Sequence, residues 1–300
     1  MKILITTSSF DVQGNNYLQN LQGAEIITNP YGRRLTEGEI LQLIKQHQPT
    51  AIIAGVEPLT RKVLQAATNL KVLSRCGTGM DNVDKDACKE FGIKLLNTPD
   101  APAESVAELA LALIFAVIRK IPVADKLIRA DKWKAQKGML LAGKTVGVLG
   151  LGRIGKRVAD ALNALGCNIM FYDPYVEQYN GYTKANTAQI FAKANIISLH
   201  LPLTKDTREI INANTLSTMQ DNAIIINTAR GELINEGDLY NALKDEQIFG
   251  AALDVYQNEP YKGKLTELDN IALTAHMGSA AKETRAKMEA EAAKNMVDNL

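Results

Sequence analysis

The sequence predicts an α/β fold with two doubly wound parallel-sheet domains and a cleft between them. Three observations lead to this prediction. Short apolar runs alternate with amphipathic helical patterns along most of the chain, which is typical of parallel sheets covered by helices on both faces. A glycine-rich turn at residues 150–155 joins one apolar run to one helical pattern. The length of 300 residues is sufficient for two hydrophobic cores.

Composition and charge exclude several classes of protein. The hydrophobic content of 46% and charged content of 22% are ordinary for a globular chain, and the net charge of +1 indicates neither a nucleic-acid nor a membrane-surface partner. Cys76, Cys88 and Cys167 cannot form a paired framework and lack metal-ligand spacing. The longest apolar stretch, 106–118, is too short to span a bilayer and contains Glu108. No signal-peptide pattern precedes the first predicted strand, so we expect a cytoplasmic protein without a metal site.

The first hundred residues predict a small flavodoxin-like domain. Five apolar runs are predicted strands, at residues 2–6, 24–28, 51–54, 71–75 and 93–96. Helical patterns lie between them, at residues 36–47, 60–67 and 84–91. We expect a substrate-binding domain of residues 1–98, completed by a charged amphipathic helix within residues 280–300 that folds back onto it.

Residues 144–173 predict, in chain order, a strand, a glycine-rich turn, a helix and a second strand that ends in an acidic residue. An apolar run at 145–149 leads into the sequence GLGRIG, a GxGxxG pattern, and an amphipathic helical pattern follows. Gly150 permits a tight turn, Gly152 lets the backbone approach a pyrophosphate, and Gly155 lets the helix pack closely on the strand. The free N–H groups and the positive dipole end of the helix would face the phosphates. The pattern therefore predicts a dinucleotide site, and the alternative is a glycine-rich turn of another α/β protein.

An acid at the end of the next predicted strand indicates which dinucleotide binds. Asp173 lies 18 residues beyond Gly155, where a carboxylate accepts hydrogen bonds from the adenosine ribose hydroxyls and repels a 2′-phosphate. The following residues, Pro174, Tyr175 and Val176, bring no cation to offset that repulsion. The sequence therefore favours NAD over NADP.

The strand and helix alternation continues and predicts a complete Rossmann domain over residues 99–279. Further strands are predicted at 196–199, 223–227, 249–254 and 270–274, which gives about six with the first two. Helical patterns lie at residues 187–193, 212–218 and 236–244. The helical pattern from Val106 to Arg119 is apolar on nearly all faces, and an arm at 121–141 follows it. Together they offer enough apolar surface to predict a homodimer.

Polar residues follow the last predicted strands, where ligands bind in open α/β sheets. Arg230, Asp254, Glu259 and His276 all lie at or just after such strand ends. Oxidation of a 2-hydroxy acid requires a base for the hydroxyl proton, a task that histidine performs near neutral pH. A neighbouring glutamate would orient the imidazole, and a guanidinium would bind the substrate carboxylate. The alternatives are a structural Arg–Glu pair, a histidine helix cap and a hydrogen-bonded strand-end aspartate.

Five motifs together resemble the D-isomer-specific 2-hydroxyacid dehydrogenases, and the similarity covers nearly all of the chain. The motifs are, in chain order, RCGTGMDNVD, GLGRIG, NTARGELIN, ALDVYQNEP and AHMGS. Within this family, the sequence is most similar to the phosphoglycerate dehydrogenases. One departure is Ala275, since the family usually has proline before the catalytic histidine.

The resemblance implies specific roles for individual residues. It implies Arg230, Glu259 and His276 as the catalytic residues, Asp254 at the nicotinamide carboxamide, and Val106 near the nicotinamide ring. It implies that His200 lies by the adenosine half and is not the catalyst. The full set of implied NAD-binding residues is Val106, Gly150, Gly152, Arg153, Ile154, Gly155, Asp173, His200, Pro202, Thr207, Thr228, Ala229, Asp254 and Gly278. The implied substrate-binding residues are Arg75, Gly77, Thr78, Gly79 and Arg230, with the glycine loop binding a carboxylate through backbone N–H groups.

The resemblance also implies an activity, with open alternatives. The first candidate is oxidation of 3-phosphoglycerate to 3-phosphohydroxypyruvate, the first step of serine biosynthesis. A phosphorylated substrate needs additional cations, for which Arg75, Lys134 and Lys137 are candidates. Reduction of glyoxylate or hydroxypyruvate is the second candidate. An NAD-sensing corepressor-like binding protein of the same fold is the third.

Overall fold

The chain, here a computed structural model that describes all 300 residues, divides into two compact units. The first unit consists of Met1–Ala103 and Ser279–Leu300, and the second consists of Glu104–Gly278. The division falls after Ala103, whereas the sequence analysis places it after residue 98. The chain beyond residue 98 still packs in the first unit, since Ala101 is buried in the same apolar cluster as Ile3 and Ile5. Thr98 itself is held in this unit by two hydrogen bonds. The N–H of Gly77 donates to Thr98 Oγ1 (2.7 Å), and the N–H of Thr98 donates to the Gly77 carbonyl (3.1 Å).

The first unit contains a five-stranded parallel sheet. Its strands are β1 (Lys2–Ile5), β2 (Glu25–Thr28), β3 (Ala51–Ala54), β4 (Val72–Arg75) and β5 (Lys94–Asn97). Their order in the sheet is β2-β1-β3-β4-β5, as expected for a flavodoxin-like doubly wound domain. The helices of this unit are α1 (Asn16–Gln19), α2 (Glu37–His47), α3 (Arg61–Ala66), α4 (Lys85–Glu90) and α11 (Lys282–Val297).

The last helix of the chain completes the core of the first unit. Side chains of β1 alternate between two apolar clusters, with Leu4 in one cluster and Ile3 and Ile5 in the other. Helix α11 adds Met288 and Met296 to the cluster that contains Ile3 and Ile5. Burial of both faces explains why the strands are continuous apolar runs rather than alternating ones.

The second unit contains a seven-stranded parallel sheet. Its strands are β6 (Thr145–Leu149), β7 (Asn168–Tyr172), β8 (Thr183–Lys184), β9 (Ile196–Leu199), β10 (Ile224–Asn227), β11 (Gly250–Leu253) and β12 (Ile271–Leu273). Their order is β12-β11-β10-β9-β6-β7-β8, which is the Rossmann order with one added strand. The expectation of about six strands omits β8, because this exposed edge strand of two residues carries no apolar pattern.

Helices cover both faces of the second sheet. They are α5 (Ala103–Ile118), α6 (Ile121–Arg129), α7 (Arg153–Ala164), α8 (Thr187–Lys193), α9 (Ala213–Leu216) and α10 (Glu236–Lys244). Strands β9, β10 and β11 are buried along their whole length, since apolar clusters lie on both sides of them. No helix of the chain combines the length and the apolarity that crossing a membrane would require.

Candidate active site

The glycine turn of the second unit lies where the strand order reverses, between β6 and β9. Gly150 has φ +94°, and a Cβ there would lie 2.6 Å from the His200 carbonyl oxygen. A Cβ on Gly155 would lie 2.0 Å from the Gly150 carbonyl oxygen. A Cβ on Gly152 would meet no atom within 4 Å. Two glycines are therefore required by packing, whereas Gly152 faces open space at the N-terminus of α7.

Asp173 ends β7 beside this turn and is buried. Its Oδ2 accepts from the Leu151 N–H (2.7 Å), and its Oδ1 accepts from the Tyr175 N–H (2.8 Å). These two bonds fix the carboxylate next to the glycine turn. Each oxygen retains acceptor capacity for a ribose hydroxyl.

Three cations of α7 line the same groove as Asp173, and the sequence analysis includes only one of them, Arg153, among the NAD-binding residues. Arg153, Lys156 and Arg157 border this groove together with Asp173 and Tyr175. The sequence argument considers only the residues directly after the acid. The helix brings cations to it from 16 to 20 positions earlier in the chain.

The loop after β10 is held by one buried side chain. Asn227 Oδ1 accepts from the Ala229 N–H (3.0 Å), and Asn227 Nδ2 donates to the Arg230 carbonyl (2.8 Å). The Thr228 hydroxyl within this loop is buried and has no hydrogen-bond partner in the protein. Buried hydroxyl groups nearly always form a hydrogen bond, so the Thr228 hydroxyl is a candidate to form one with a bound cofactor.

His276 and Glu259 are in direct contact. The imidazole Nδ1 lies 2.9 Å from Glu259 Oε2 and 3.1 Å from Oε1, and the His276 side chain is 48% exposed. Glu259 Oε1 also accepts from the Tyr256 N–H (3.2 Å), which orients the carboxylate. This arrangement places the proton of the neutral imidazole on Nδ1 or leaves the ring positively charged, and Nε2 is left for a ligand.

Asp254 organises the turn that carries His276. Its Oδ1 accepts from the Met277 N–H (2.9 Å) and from the Thr274 hydroxyl (2.6 Å), and its Oδ2 accepts from the Gly278 N–H (2.9 Å). Its own carbonyl accepts from the His276 N–H (2.8 Å). These bonds hold His276 at φ +49°, a left-handed conformation that costs free energy for a residue with a side chain.

Arg230 lies in the loop that packs against the Glu259 loop. Its Nη1 donates to the Ala229 carbonyl (2.6 Å). The next residue, Gly231, lies so close to Tyr256 that a Cβ there would be 1.9 Å from the Tyr256 carbonyl carbon. Tyr256 stacks on Tyr261 with 4.4 Å between ring centroids, and its hydroxyl donates to the Thr274 carbonyl (2.8 Å). The backbone of Tyr256 therefore connects the loops that carry Arg230 and Glu259.

The remaining predicted cofactor residues of the second unit lie near this edge of the sheet. Val106 Cγ2 would be 3.1 Å from a Cβ on Gly278, so Val106 lies beside the Asp254 turn. His200 Nε2 lies 2.8 Å from Ser198 Oγ, and burial lowers the pKa of His200 to about 4. Thr207 Oγ1 donates to the Pro202 carbonyl (2.7 Å) and closes the loop after β9. Ile154 follows Arg153 in the first turn of α7.

The predicted substrate residues of the first unit lie in the loop after β4. Gly77 has φ +139°, and its N–H is bound to Thr98, so it is not available to a ligand. The N–H groups of Thr78 and Gly79 form no hydrogen bond within the chain. Arg75 Nη1 donates to the Cys76 carbonyl (2.9 Å). Lys134 and Lys137, the other candidates for binding a substrate phosphate, are exposed in an irregular segment of the second unit.

Two residues that orient the site receive no role in the sequence analysis. Asn227 is a polar residue at the end of a run of three isoleucines, which is a signal that sequence reasoning could have used. Tyr256 carries no such signal. Its function depends on the close approach of Gly231, which only the folded chain shows.

Comparison with known proteins agrees with this geometry. A family model described as D-isomer specific 2-hydroxyacid dehydrogenase, NAD binding domain, matches residues 111–278. The chain belongs to this family of NAD-dependent dehydrogenases. The family relationship confirms the fold class and NAD as the cofactor.

Individual relatives differ in name and in length. D-3-phosphoglycerate dehydrogenase of Methanocaldococcus jannaschii is 40% identical over 293 residues, which cover 95% of this chain and 55% of that protein. Hydroxypyruvate reductase of Thermotoga maritima is 37% identical over 290 residues, which cover 94% of this chain and 92% of that protein. The TT0316 protein of Thermus thermophilus has a solved structure with a TM-score of 0.89 and 32% identity, covering 99% of this chain and 96% of that one. The chain thus spans about half the length of the phosphoglycerate dehydrogenase that it matches.

Proposed function

We propose that this dehydrogenase interconverts D-2-hydroxy acids and 2-oxo acids with Arg230, Glu259 and His276 as its catalytic residues. The observation that carries the proposal is the contact between His276 Nδ1 and the Glu259 carboxylate, with the other ring nitrogen left for a ligand. A histidine held by a carboxylate through one nitrogen is suited to transfer a proton through the other.

His276 moves the proton in this proposal. In the direction of reduction, the Nε2–H donates its proton to the oxygen of the substrate carbonyl group. Glu259 holds the ring through Nδ1 and stabilises the positively charged imidazole before that transfer. In the direction of oxidation, neutral His276 accepts the hydroxyl proton at the same atom.

Arg230 binds the carboxylate of the substrate in this proposal. A guanidinium presents paired N–H donors that match a carboxylate, and its charge also stabilises the negative charge that develops on the carbonyl oxygen. Because Arg230 and Glu259 are carried by loops that pack together through Gly231 and Tyr256, both groups would act on one substrate.

The second unit has groups that fit NAD. The open space at Gly152 and the N-terminus of α7 suit the pyrophosphate, and Asp173 suits the adenosine ribose. In this proposal, the unbonded Thr228 hydroxyl and the Val106 side chain beside Gly278 contact the nicotinamide half. When bound, NADH supplies the hydride for the carbonyl carbon, and NAD accepts it in the reverse direction.

The proposal includes two substrate classes. The sequence resemblance and the 40% identity to a phosphoglycerate dehydrogenase favour 3-phosphoglycerate, in the first step of serine biosynthesis. The relative named hydroxypyruvate reductase, of which the chain covers 92%, favours the small unphosphorylated acids.

The test is NADH oxidation with 3-phosphohydroxypyruvate, hydroxypyruvate and glyoxylate, measured side by side. We expect turnover with at least one of these acids. Arg230→Ala is expected to lower kcat/KM by about a hundredfold or more, with NADH affinity within threefold of the wild type, because the guanidinium acts on the substrate. Absence of turnover with all three acids, while NADH binds, would contradict the proposed activity.

We also propose that the protein is a cytoplasmic homodimer. The segment from α6 to β6 exposes apolar side chains that no part of the second unit covers: Trp133 is 95% exposed and Leu140 is 78% exposed. A second copy of the chain would bury them. Sedimentation at micromolar concentration is expected to give a dimer, and Trp133→Ser with Leu140→Ser is expected to shift it toward monomer.

A further inference from the structure

The chain between β7 and β8 borders the groove that contains Asp173. These residues, 174–182, form no helix or strand, and we call them the groove segment. The groove is lined by Tyr175, Val176 and Tyr179 of this segment together with four residues of α7. The Tyr175 N–H also donates to Asp173 Oδ1 (2.8 Å), the carboxylate that the proposed function places at the adenosine ribose. The position of the groove segment therefore determines the shape of the proposed adenosine site.

One carboxylate of α7 binds the groove segment at three points. Asp160 Oδ2 accepts from the Tyr179 hydroxyl (2.7 Å). Its Oδ1 accepts from the Tyr182 hydroxyl (2.8 Å) and from Asn180 Nδ2 (2.9 Å). Because all three donors lie in residues 179–182, this single carboxylate fixes the end of the groove segment on α7. Asp160 itself also lines the groove.

The Asp160 carboxyl is ionised at neutral pH. Burial raises its pKa, but the three hydrogen bonds and the charge of Lys156 bring that pKa below its ordinary value. Burial and the bond to Asp160 raise the pKa of Tyr182 to about 12, so its hydroxyl keeps the proton that it donates. Hydrogen bonds to an ionised carboxylate are stronger than those between neutral groups. The contact is therefore a strong one at neutral pH.

The groove segment also packs on α7 through aromatic rings. The Tyr182 N–H donates to the Tyr179 carbonyl (2.9 Å) and closes a turn, in which Asn180 has φ +48°, a left-handed conformation that asparagine tolerates. The two tyrosine rings pack edge to face with 5.8 Å between their centroids. Lys156 Nζ of α7 lies 4.9 Å from the centroid of the Tyr179 ring. The hydroxyl groups and the rings thus hold the turn in one position.

We propose that Asp160 is a positioning residue of the NAD site, which holds the groove segment in the shape that binds the adenosine half of the cofactor. This inference rests on the proposed placement of the adenosine ribose at Asp173. A segment without helix or strand loses conformational freedom when it packs on a ligand, and a segment that is already fixed loses less. Asp160 therefore raises the affinity for NADH without acting on the reacting atoms.

The test compares NADH binding by fluorescence titration in the wild type and in Asp160→Asn, which keeps the shape but replaces one acceptor oxygen with an N–H donor. We expect about tenfold weaker binding of NADH, and an equal loss in calorimetry with ADP-ribose, which lacks the nicotinamide. In steady-state kinetics, the KM for NADH should rise by a similar factor. The kcat at saturating NADH and the KM for the 2-oxo acid should stay within about twofold, since the substrate and the reacting atoms are not touched.

Two further variants separate this role from a general effect on folding. Tyr179→Phe removes one hydrogen bond and keeps the ring beside Lys156, so we expect about threefold weaker NADH binding. This milder variant decides the question if Asp160→Asn does not fold in urea unfolding. The matched control is Glu267→Gln, which removes a carboxylate that accepts from the Tyr240 hydroxyl (3.1 Å) but does not line the groove. The control is expected to bind NADH as the wild type does.

Wild-type NADH affinity in both Asp160→Asn and Tyr179→Phe would overturn the inference. A loss of NADH affinity that ADP-ribose does not share would overturn it as well. Asp173→Ala, measured alongside, distinguishes this failure from a failure of the proposed function. If Asp173→Ala binds NADH normally, the proposed placement of the ribose is wrong. If it binds NADH weakly while the Asp160 and Tyr179 variants bind it normally, only the inference fails.

Discussion

The carboxyl edges of the two parallel sheets are built alike but present different chemistry. In the second sheet, His276 is 48% exposed, and its only ion-pair partner is a carboxylate that orients it. In the first sheet, Glu57 is 1% exposed, and its carboxyl accepts from the Thr6 hydroxyl and the Gly55 N–H. Both edges gather loops from neighbouring strands, as doubly wound sheets do. The fold therefore assembles the loops at both edges, whereas burial decides whether a titratable group in those loops is accessible to a ligand.

The largest effect is expected from replacing His276, the exposed group at the edge of the second sheet. His276→Asn is expected to lower kcat by about a thousandfold, because asparagine cannot transfer a proton. NADH affinity and the unfolding midpoint should remain near wild type, since the Asp254 bonds to the backbone of the turn are retained. The control is His47→Asn in the last turn of α2. Turnover equal to that of the wild type would contradict the acid–base role of His276. It would also contradict the difference drawn between the two sheet edges.

The next effect concerns a carboxylate whose neighbours are cations. Asp173→Ser is expected to raise the ratio of kcat/KM for NADPH over NADH by about a hundredfold, because the 2′-phosphate would meet Arg153, Lys156 and Arg157 without the opposing charge of Asp173. Steady-state kinetics with both cofactors checks this. If the wild type already prefers NADPH, the assignment of Asp173 fails.

A third prediction concerns the pKa of His200 in the second unit. The pKa of His200 is lowered from 6.5 to about 4 in the folded protein. Between these values the unfolded chain binds more protons than the folded one, so stability falls as pH decreases from 6.5 toward 4. The loss is at most about 1.4 kcal/mol per pH unit. His200→Gln should flatten this part of the profile in urea unfolding, and an equally steep profile would show that His200 titrates normally.

The smallest effects are expected in the glycine turn, where a side chain at Gly152 would have space and one at Gly155 would not. Gly152→Ala should weaken NADH binding by about tenfold without loss of stability, because its Cβ would enter the space in front of α7. Gly155→Ala should instead lower the free energy of unfolding by about 1–3 kcal/mol, because its Cβ would collide with the Gly150 carbonyl. Fluorescence titration and urea unfolding of both variants test this. Equal effects of the two variants would contradict the distinction.

Elements with long apolar or amphipathic patterns are predictable from the sequence. The isoleucine run of β10 and the capped helix α2, with Thr36 and Glu39 in a capping box, lie where the sequence places them within one residue. Short elements are not predictable in this way. Helix α1 (Asn16–Gln19) and strand β8 are too short to display a period, and they form because neighbouring elements provide their partners.

The candidate site also contains some features that the sequence predicts and others that it does not. The sequence predicted that Arg230, Glu259 and His276 lie at one edge of the sheet, because residues at the ends of parallel strands converge whatever their distance along the chain. It also indicated Asp173, since the acid follows the glycine turn at a typical spacing. The hydrogen bond from Gly77 to Thr98, the positions of Lys156 and Arg157 beside Asp173 and the burial of Glu57 were not predictable.

The sequence by itself determined the two parallel sheets, the family and the residue types at the strand ends. These properties depend on patterns and motifs that are local in the chain. The tertiary structure alone decided which of those residues are buried, which are paired and which N–H groups are left for a ligand. These properties depend on side chains that are far apart in the sequence. Gly77 and Thr98 follow different strands, and only the pairing of β4 with β5 brings the N–H of Gly77 to the Thr98 hydroxyl.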